Sequence, residues 1–228
     1  MFVVVDYCKG NLRSVQKGLE RAGCDARVSA SPADINNAEA IVLPGVGSFT
    51  DASETMCASG QMDAIRSRVA DGVPFLGICL GLQLLFDWGD EGAPAGSRSE
   101  GLGVLPGHCR RIDALDAAGR AHKVPHVGWN QVRFSHTLRE GLSAGDHAGQ
   151  GAALLLAGIE DGSNFYFTHS YQCVPAQEAD ICATTDHATG FPSVVARGSA
   201  FGVQFHPEKS SHKGLMVLQN FVNLARRM

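Results

Sequence analysis

The sequence predicts an α/β fold in which a mostly parallel central sheet is flanked by helices, with an additional, largely antiparallel strand portion in the second half. Apolar runs with no polar alternation, at Phe2–Val5, residues 40–43 and residues 74–78, mark strands buried on both faces. Helical patterns lie between these runs on short connections, which is the order that builds a parallel sheet covered on both sides. Beyond residue 103 the pattern changes to short strands separated by turns, the mark of antiparallel pairing. A chain of 228 residues can bury a sizeable core, and it reads as a single domain over 1–228.

The first strand, Phe2–Val5, ends in Asp6. Residues 7–11 turn the chain, Asn11 stands where a helix cap belongs, and Leu12, Val15, Leu19 and Ala22 recur at helical spacing up to Gly23. A second strand is expected at Ala26–Ser29, then a polar segment at 31–37, then the third strand, which runs into Pro44-Gly45-Val46-Gly47. A glycine-rich loop at a strand end can offer free backbone N–H groups to a ligand. No lysine follows where a phosphate-binding loop requires one, so this stretch alone leaves a tight turn and a ligand loop both open. Residues 63–70 read as a helix with Met62, Ile65 and Val69 inward, stopped by Asp71-Gly72. The strand 74–78 then reaches a cysteine between two glycines, and a helix with Leu82, Leu85 and Phe86 along one side is expected after it. Residues 87–99, rich in Gly, Ala, Asp and Glu, read as a surface excursion. Further strands are expected at 108–112, 124–134, 164–173, 179–184, 193–196 and 201–205, and Leu215, Leu218, Phe221, Val222 and Ala225 mark a C-terminal helix.

Composition excludes several classes of function. Lys and Arg total 19 and form no stripe, and the net charge is -4, so nucleic-acid binding has no support. No apolar run reaches the ~18 residues of a membrane span. The start of the chain lacks the basic lead of an export signal and reads as a strand. Seven cysteines, an odd number without a close pair, argue against a disulfide framework and for a reducing compartment, with the cytoplasm as the expected location.

The chemistry centres on Gly77-Ile78-Cys79-Leu80-Gly81 and His206-Pro207-Glu208. A sharp strand-to-helix turn lifts a thiol above the sheet edge, and N–H groups at a helix start favour negative charge beside it. In an extended stretch, residues two apart point the same way, so His206 and Glu208 can pair with Pro207 limiting their movement. One ring nitrogen then serves the thiol while the other donates to the carboxylate. The bland readings are a buried core cysteine and a surface His–Glu pair. No second His and carboxylate cluster completes a four-ligand metal set, so no metal and no cofactor are expected. His126 and His169 stand in polar, aromatic strands and fit either core or pocket-wall positions; His108, His122, His136, His147, His187 and His212 read as surface or turn residues.

Together with Pro44-Gly45-Val46-Gly47, these segments resemble class I (triad) glutamine amidotransferases, which implies a three-layer, flavodoxin-like fold. Asp6-Tyr7, residues 10–15, residues 99–103, Lys123-Val124-Pro125-His126-Val127-Gly128-Trp129-Asn130, residues 166–171 and residues 202–210 look like the branch of glutaminase subunits of imidazole glycerol phosphate synthases. The resemblance covers nearly the whole chain. It implies Cys79 as nucleophile, His206 as base and acid, Glu208 as its orienting acid, and the N–H groups of Val46 and Leu80 as the oxyanion hole, after the Gly45–Val46 peptide has turned over. Gly45, Gln83, Ser170 and Tyr171 fall where that family holds L-glutamine. It also implies a heterodimer with a (β/α)8-barrel cyclase that receives ammonia and makes imidazole glycerol phosphate and aminoimidazole carboxamide ribonucleotide in histidine synthesis. Asn11, His126, Trp129 and Asn130 are expected at that interface.

The chain departs from the family at Cys8-Lys9, at Gln172-Cys173 and over residues 186–196, none of which carries the triad. Three rival readings remain on sequence alone: the same glutaminase serving another ammonia-using synthase, a partner-binding scaffold without activity, and a free cysteine peptidase or amidase on the same turn.

Overall fold

Strand β1 (Phe2–Val5) seeds the main sheet of the computed structural model, which describes residues 1–144 and 151–228. It pairs in parallel with β2 (Ala26–Ser29) on one side and β3 (Ala40–Gly45) on the other. Strand β4 (Phe75–Cys79) lies parallel beside β3, and β13 (Ala200–Val203) parallel beside β4. The sheet then continues antiparallel through β12 (Phe191–Arg197), β11 (Ile181–Thr185), β8 (His126–Phe134) and β9 (Ser163–His169). Its order is β2-β1-β3-β4-β13-β12-β11-β8-β9. A second sheet sets β10 (Tyr171–Pro175) beside β7 (Leu105–Arg111), then β5 (Phe86–Gly89) and β6 (Ser99–Glu100). The mixed sheet expected from the sequence, parallel first and antiparallel later, is the one observed.

The strand sequences explain the layers. Phe2 and Val4 point into one apolar cluster and Val3 and Val5 into another, and Ala40 and Val42 alternate with Ile41 and Leu43 in the same way. A strand apolar at every position therefore holds helices on both faces. Helices α1 (Leu12–Arg21) and α8 (Ser211–Ala225) cover the first face through Val15, Leu19, Val217, Leu218 and Phe221. The second is covered by α3 (Phe49–Ser59) and α4 (Gln61–Ala70) through Phe49, Met56, Met62 and Ile65. Each such large side chain, fully buried, contributes about 1.5–3 kcal/mol.

Several elements differ from their sequence expectation. The polar segment 31–37 contains a short helix, α2 (Pro32–Asn36), that buries Ile35 alone and so shows no periodicity. Helix α3 escapes the sequence because its inward face includes Thr50 and Ser53, which bond to Ser99 Oγ and to the Glu100 carbonyl. The helix after Cys79, α5 (Leu80–Gln83), is a single turn and does not carry Leu85 and Phe86. It stops because the carbonyls of Leu84 and Leu85 accept from the N–H groups of Leu102 and of Val104 and Leu105, which draws the chain into β5. The excursion at 87–99 opens and closes in β5 and β6, and Arg98 covers the Trp88 ring at 3.8 Å. The strand expected over 164–173 is two, β9 and β10, in different sheets, with Ser170 at the crossing. Short helices α6 (His136–Ala144) and α7 (Gly151–Leu155) follow β8. His147 lies outside the described residues.

Among the described residues no helix is long and apolar enough to cross a membrane. All seven cysteines are free thiols.

Two glycines decide whether the turn after β4 can close. A Cβ on Gly81 would collide with the Leu43 carbonyl, and one on Gly77 with the Gly81 carbonyl. Backbone on both sides cannot yield as a flexible side chain would. Gly81→Ala is expected to cost about 3 kcal/mol or more, measured by urea denaturation. A cost under about 1 kcal/mol would mean that the turn is not packed in this way.

The β8–β9 pairing places His126 opposite His169, and their rings meet at 3.1 Å from Nδ1 to Nε2. Burial pulls His126 down to about 4, with His187 adding to it, and pulls His169 down to about 3 against a bond to the Tyr171 carbonyl. Both rings are neutral in the folded chain until well below their unfolded value of about 6.5. The unfolded chain thus binds more protons over that interval, so stability falls as the pH drops from about 6.5 toward 4 and 3. The urea midpoint should decline over that window, and the decline should be shallower in His126→Phe/His169→Gln. Parallel slopes for the two proteins would contradict it.

Candidate active site

Cys79 ends β4 and begins the single turn of α5 with φ 55° and ψ −105°. A side chain held at positive φ costs on the order of 1–3 kcal/mol, and such a cost is sustained only where surrounding packing dictates it. Gly77 and Gly81 provide that packing by letting the chain fold back against Leu43. The turn leaves the thiol at the carboxyl end of the parallel strands, 6% exposed. Leu80 opens α5, so its N–H is one of the helix donors without an intrahelical acceptor.

His206 is reached from the neighbouring strand. After β13 its N–H donates to the Tyr166 carbonyl, and the Ser210 hydroxyl donates to the His206 carbonyl at 2.7 Å. The His–Pro–Glu segment is not extended, as its spacing suggested: Pro207–Lys209 is a 3-10 turn, and that turn brings Glu208 Oε1 to 3.0 Å from His206 Nδ1. Both side chains are 2% exposed. Burial alone would pull the imidazole down, but the Cys79 thiol and the Glu208 carboxylate outweigh it and lift His206 to about 9. Nε2 closes no hydrogen bond in strict geometry, although the thiol is near enough to act on the ring. The carboxylate has a second neighbour, since Asn11 Nδ2 lies 3.5 Å from Oε1. Asn11 occupies the N-cap place of α1 as expected but makes no capping bond with its side chain, which reaches Glu208 instead.

The loop Pro44-Gly45-Val46-Gly47 flanks the thiol, because Gly45 pairs with Cys79 across β3 and β4. A Cβ on Gly45 would stand 2.6 Å from both Leu80 Cβ and the Tyr7 hydroxyl. Tyr7 is buried, its hydroxyl closes no strict hydrogen bond, and burial raises its pKa well above the usual phenol value against an opposing interaction with the Val46 backbone.

A cavity of about 240 Å³ opens over Cys79, walled by Val46, Gly47, Leu80 and Gln83 on one side and by 168–171 on the other. Ser170 and Tyr171 therefore line the same space as the thiol. Gln83 is 3% exposed, and its Nε2 donates to the Tyr171 carbonyl at 3.0 Å and to Gln204 Oε1 at 3.2 Å. Glu91 also lines the cavity, and sequence reasoning missed it. Burial raises its carboxyl to about 7 against the Phe49 N–H, which favours the anion, with Asp90 pushing the same way as burial. Nothing in a loop rich in Gly, Ala and acidic residues distinguishes Glu91 from Asp90; only its burial does.

The residues expected at an interface are distributed differently. Trp129 is 56% exposed, whereas His126 is buried and bonded to His169, with Asn130 Nδ2 3.2 Å from its other ring nitrogen. His187 stacks on His126 and His108 on Trp88, so neither is an ordinary surface histidine. Among the described residues no group of three or more His, Cys, Asp or Glu is arranged to hold a metal ion.

The arrangement suits nucleophilic attack by sulfur on a carbonyl, with an oriented imidazole to carry the proton. The family model of class-I glutamine amidotransferases matches residues 3–224. The chain is 45% identical over 223 residues to the imidazole glycerol phosphate synthase subunit HisH of Moorella thermoacetica, covering 98% of this chain and 94% of that one. It is 42% identical to the protein of the same name from Geobacillus thermodenitrificans, covering 98% and 96%. A crystal structure of a glutamine amidotransferase superposes with a TM-score of 0.68 at 22% identity over 98% of both chains. PurLQS from Thermotoga maritima does so at 0.67 and 18% identity over 97% of both. At those identities the two structures speak to fold alone; the family model and the closer relatives do more, and on them the chain belongs to the class-I glutamine amidotransferases.

Proposed function

We propose that residues 1–228 form one glutaminase unit that hydrolyses L-glutamine to L-glutamate and ammonia through a thioester on Cys79. The observation that carries this reading is the strained turn of Cys79 standing next to a buried, carboxylate-oriented imidazole on the adjoining strand. His206 takes the thiol proton while Glu208 fixes the ring through Nδ1. The sulfur adds to the side-chain carboxamide carbon of glutamine, and the N–H groups of Leu80 and Val46 hold the oxyanion. The imidazolium then returns its proton to the leaving nitrogen, which departs as ammonia and leaves the thioester. Water activated by the same imidazole releases glutamate. Gln83, Ser170 and Tyr171 position the amino-acid end, and Glu91 accepts from its α-ammonium.

The relatives at 45% and 42% identity are named as subunits of imidazole glycerol phosphate synthase. The chain therefore works in a heterodimer with a (β/α)8 cyclase that consumes the ammonia in making imidazole glycerol phosphate. The exposed side chains of Val127 and Trp129, beside Asn130, form part of the surface that meets it.

Cys79→Ala should abolish glutamine-dependent synthesis by the complex while added ammonium salts still support the cyclase, measured by product formation with each nitrogen source. Glutamine hydrolysis at the normal rate in that variant would overturn the thioester. For Glu91, a lost charge-assisted contact corresponds to about a tenfold rise in KM for glutamine in Glu91→Gln, with kcat changed far less. Because the carboxyl sits at about 7, wild-type KM should also rise as the pH falls below that value and be flat in the variant. Identical KM profiles in the two proteins would remove Glu91 from substrate binding.

A further inference from the structure

Gln204 lies one residue beyond β13 and two before His206, fully buried, and nothing in the glutaminase mechanism above employs it. The parallel register of β13 and β4 pairs Val203 with Ile78, which carries the next residue, Gln204, alongside Cys79. Its Nε2 donates to Cys79 Sγ at 3.5 Å, and its Oε1 accepts from Gln83 Nε2 at 3.2 Å. The two ends of a carboxamide are close in shape, but the network fixes which is which. Gln83 Nε2 also donates to the Tyr171 carbonyl, which can only accept, so the amino end of Gln83 is the one turned inward. Gln204 must then offer its oxygen to Gln83 and its NH₂ to the sulfur.

The geometry points to Gln204 as a further catalytic residue of this site: its carboxamide donates to the Cys79 sulfur, holding the thiol in its attacking direction and favouring the thiolate once the proton has left. This inference rests on the glutaminase reading only for the word catalytic; the contact with the sulfur stands apart from it. A neutral donor is suited to this place. A cation would compete with the imidazole for Glu208, and an apolar side chain would take away the donor to the sulfur and one of the two acceptors of Gln83 Nε2. Besides the His206 ring, the sulfur has the Thr168 carbonyl at 3.8 Å, an acceptor that can bind the thiol but cannot stabilise a thiolate. The carboxamide chain also ties the nucleophile to the segment that walls the cavity, since Gln83 holds Tyr171 with the same amino group.

The test uses the full chain and its complex. Gln204→Met keeps the volume and removes the donor; Gln204→Glu keeps an oxygen for Gln83 and sets a carboxylate against the sulfur. Iodoacetamide labelling of Cys79, followed by peptide mass spectrometry, should slow about tenfold at pH 7 in Gln204→Met and more in Gln204→Glu. The labelling profile should move to higher pH in both. Cys8 is exposed and should label unchanged in every protein, which separates the effect from general unfolding. In the complex, kcat for glutamine should fall in parallel while KM stays within about twofold.

An unaltered Cys79 profile in Gln204→Glu would overturn the inference. Displaced labelling without any glutamine hydrolysis by the wild-type complex would instead sink the glutaminase reading and leave the contact in place. If neither variant folds, the side-chain amide resonances of Gln204 in the wild-type chain decide the matter. They must shift as Cys79 is deprotonated, and a flat titration would refute the hydrogen bond.

Discussion

The main-chain reversal at Cys79 is the constraint on which the rest of the site depends. The residue stands at positive φ because β4 must turn back over itself within one residue to start α5. That reversal is possible only where backbone can lie directly on backbone, and Gly77, Gly81 and the Leu43 carbonyl meet in that way. The stored strain is offset by the fully buried strands on either side, whose apolar residues hold β3, β4 and β13 in register. Register is what makes the chemistry local: Gly45 is opposite Cys79 on one side, and Gln204 and His206 follow Val203 on the other. Three segments far apart in sequence are thereby brought to one sheet edge without any of them needing to be long.

The imidazole–carboxylate pair is built on a different device. An extended His-x-Glu segment would have aligned the two side chains by strand alternation, but the pairing comes from a 3-10 turn instead. The turn is closed by Lys209 and Ser210, whose N–H groups donate to the carbonyls of His206 and Pro207, and by the Ser210 hydroxyl. It leaves the imidazole with one nitrogen committed to Glu208 and the other facing the thiol. A buried, raised histidine beside a thiol accepts a proton readily and has an oriented partner for the positive charge it gains.

What the sequence made legible follows from how chemistry is written in it. The parallel strands are readable because burial on both faces demands unbroken apolar runs, and the Cys79 turn because glycines bracket it. Cys79, His206 and Glu208 come together in space as their resemblance implied, at the ends of adjoining strands. The elements that escaped are those whose inward faces are polar or too short to show a period. Helix α3 packs through Ser53 and Thr50, α2 buries Ile35 alone, and the stretch 164–173 is continuously strand-like yet changes sheet at Ser170. Glu91 and Gln204 were invisible for another reason. A carboxylate in an acidic loop and an amide in an apolar strand acquire meaning only from what they face, and that is a property of the tertiary fold.

The site also gathers polar atoms without strict hydrogen-bond partners. The Tyr7 hydroxyl, His206 Nε2 and Glu208 Oε2 are all buried in this condition. Two of them gather at the thiol: His206 Nε2 faces the Cys79 sulfur, and Tyr7 stands against the Gly45–Val46 peptide beside that sulfur. Beside them, side-chain amides and rings are linked in chains, from Gln83 to Gln204 to Cys79 and from Asn130 to His126 to His169. The satisfied network makes the surroundings of the thiol rigid. A proton leaving the thiol there meets an imidazole already oriented by Glu208, so the ring need not turn when the charge appears.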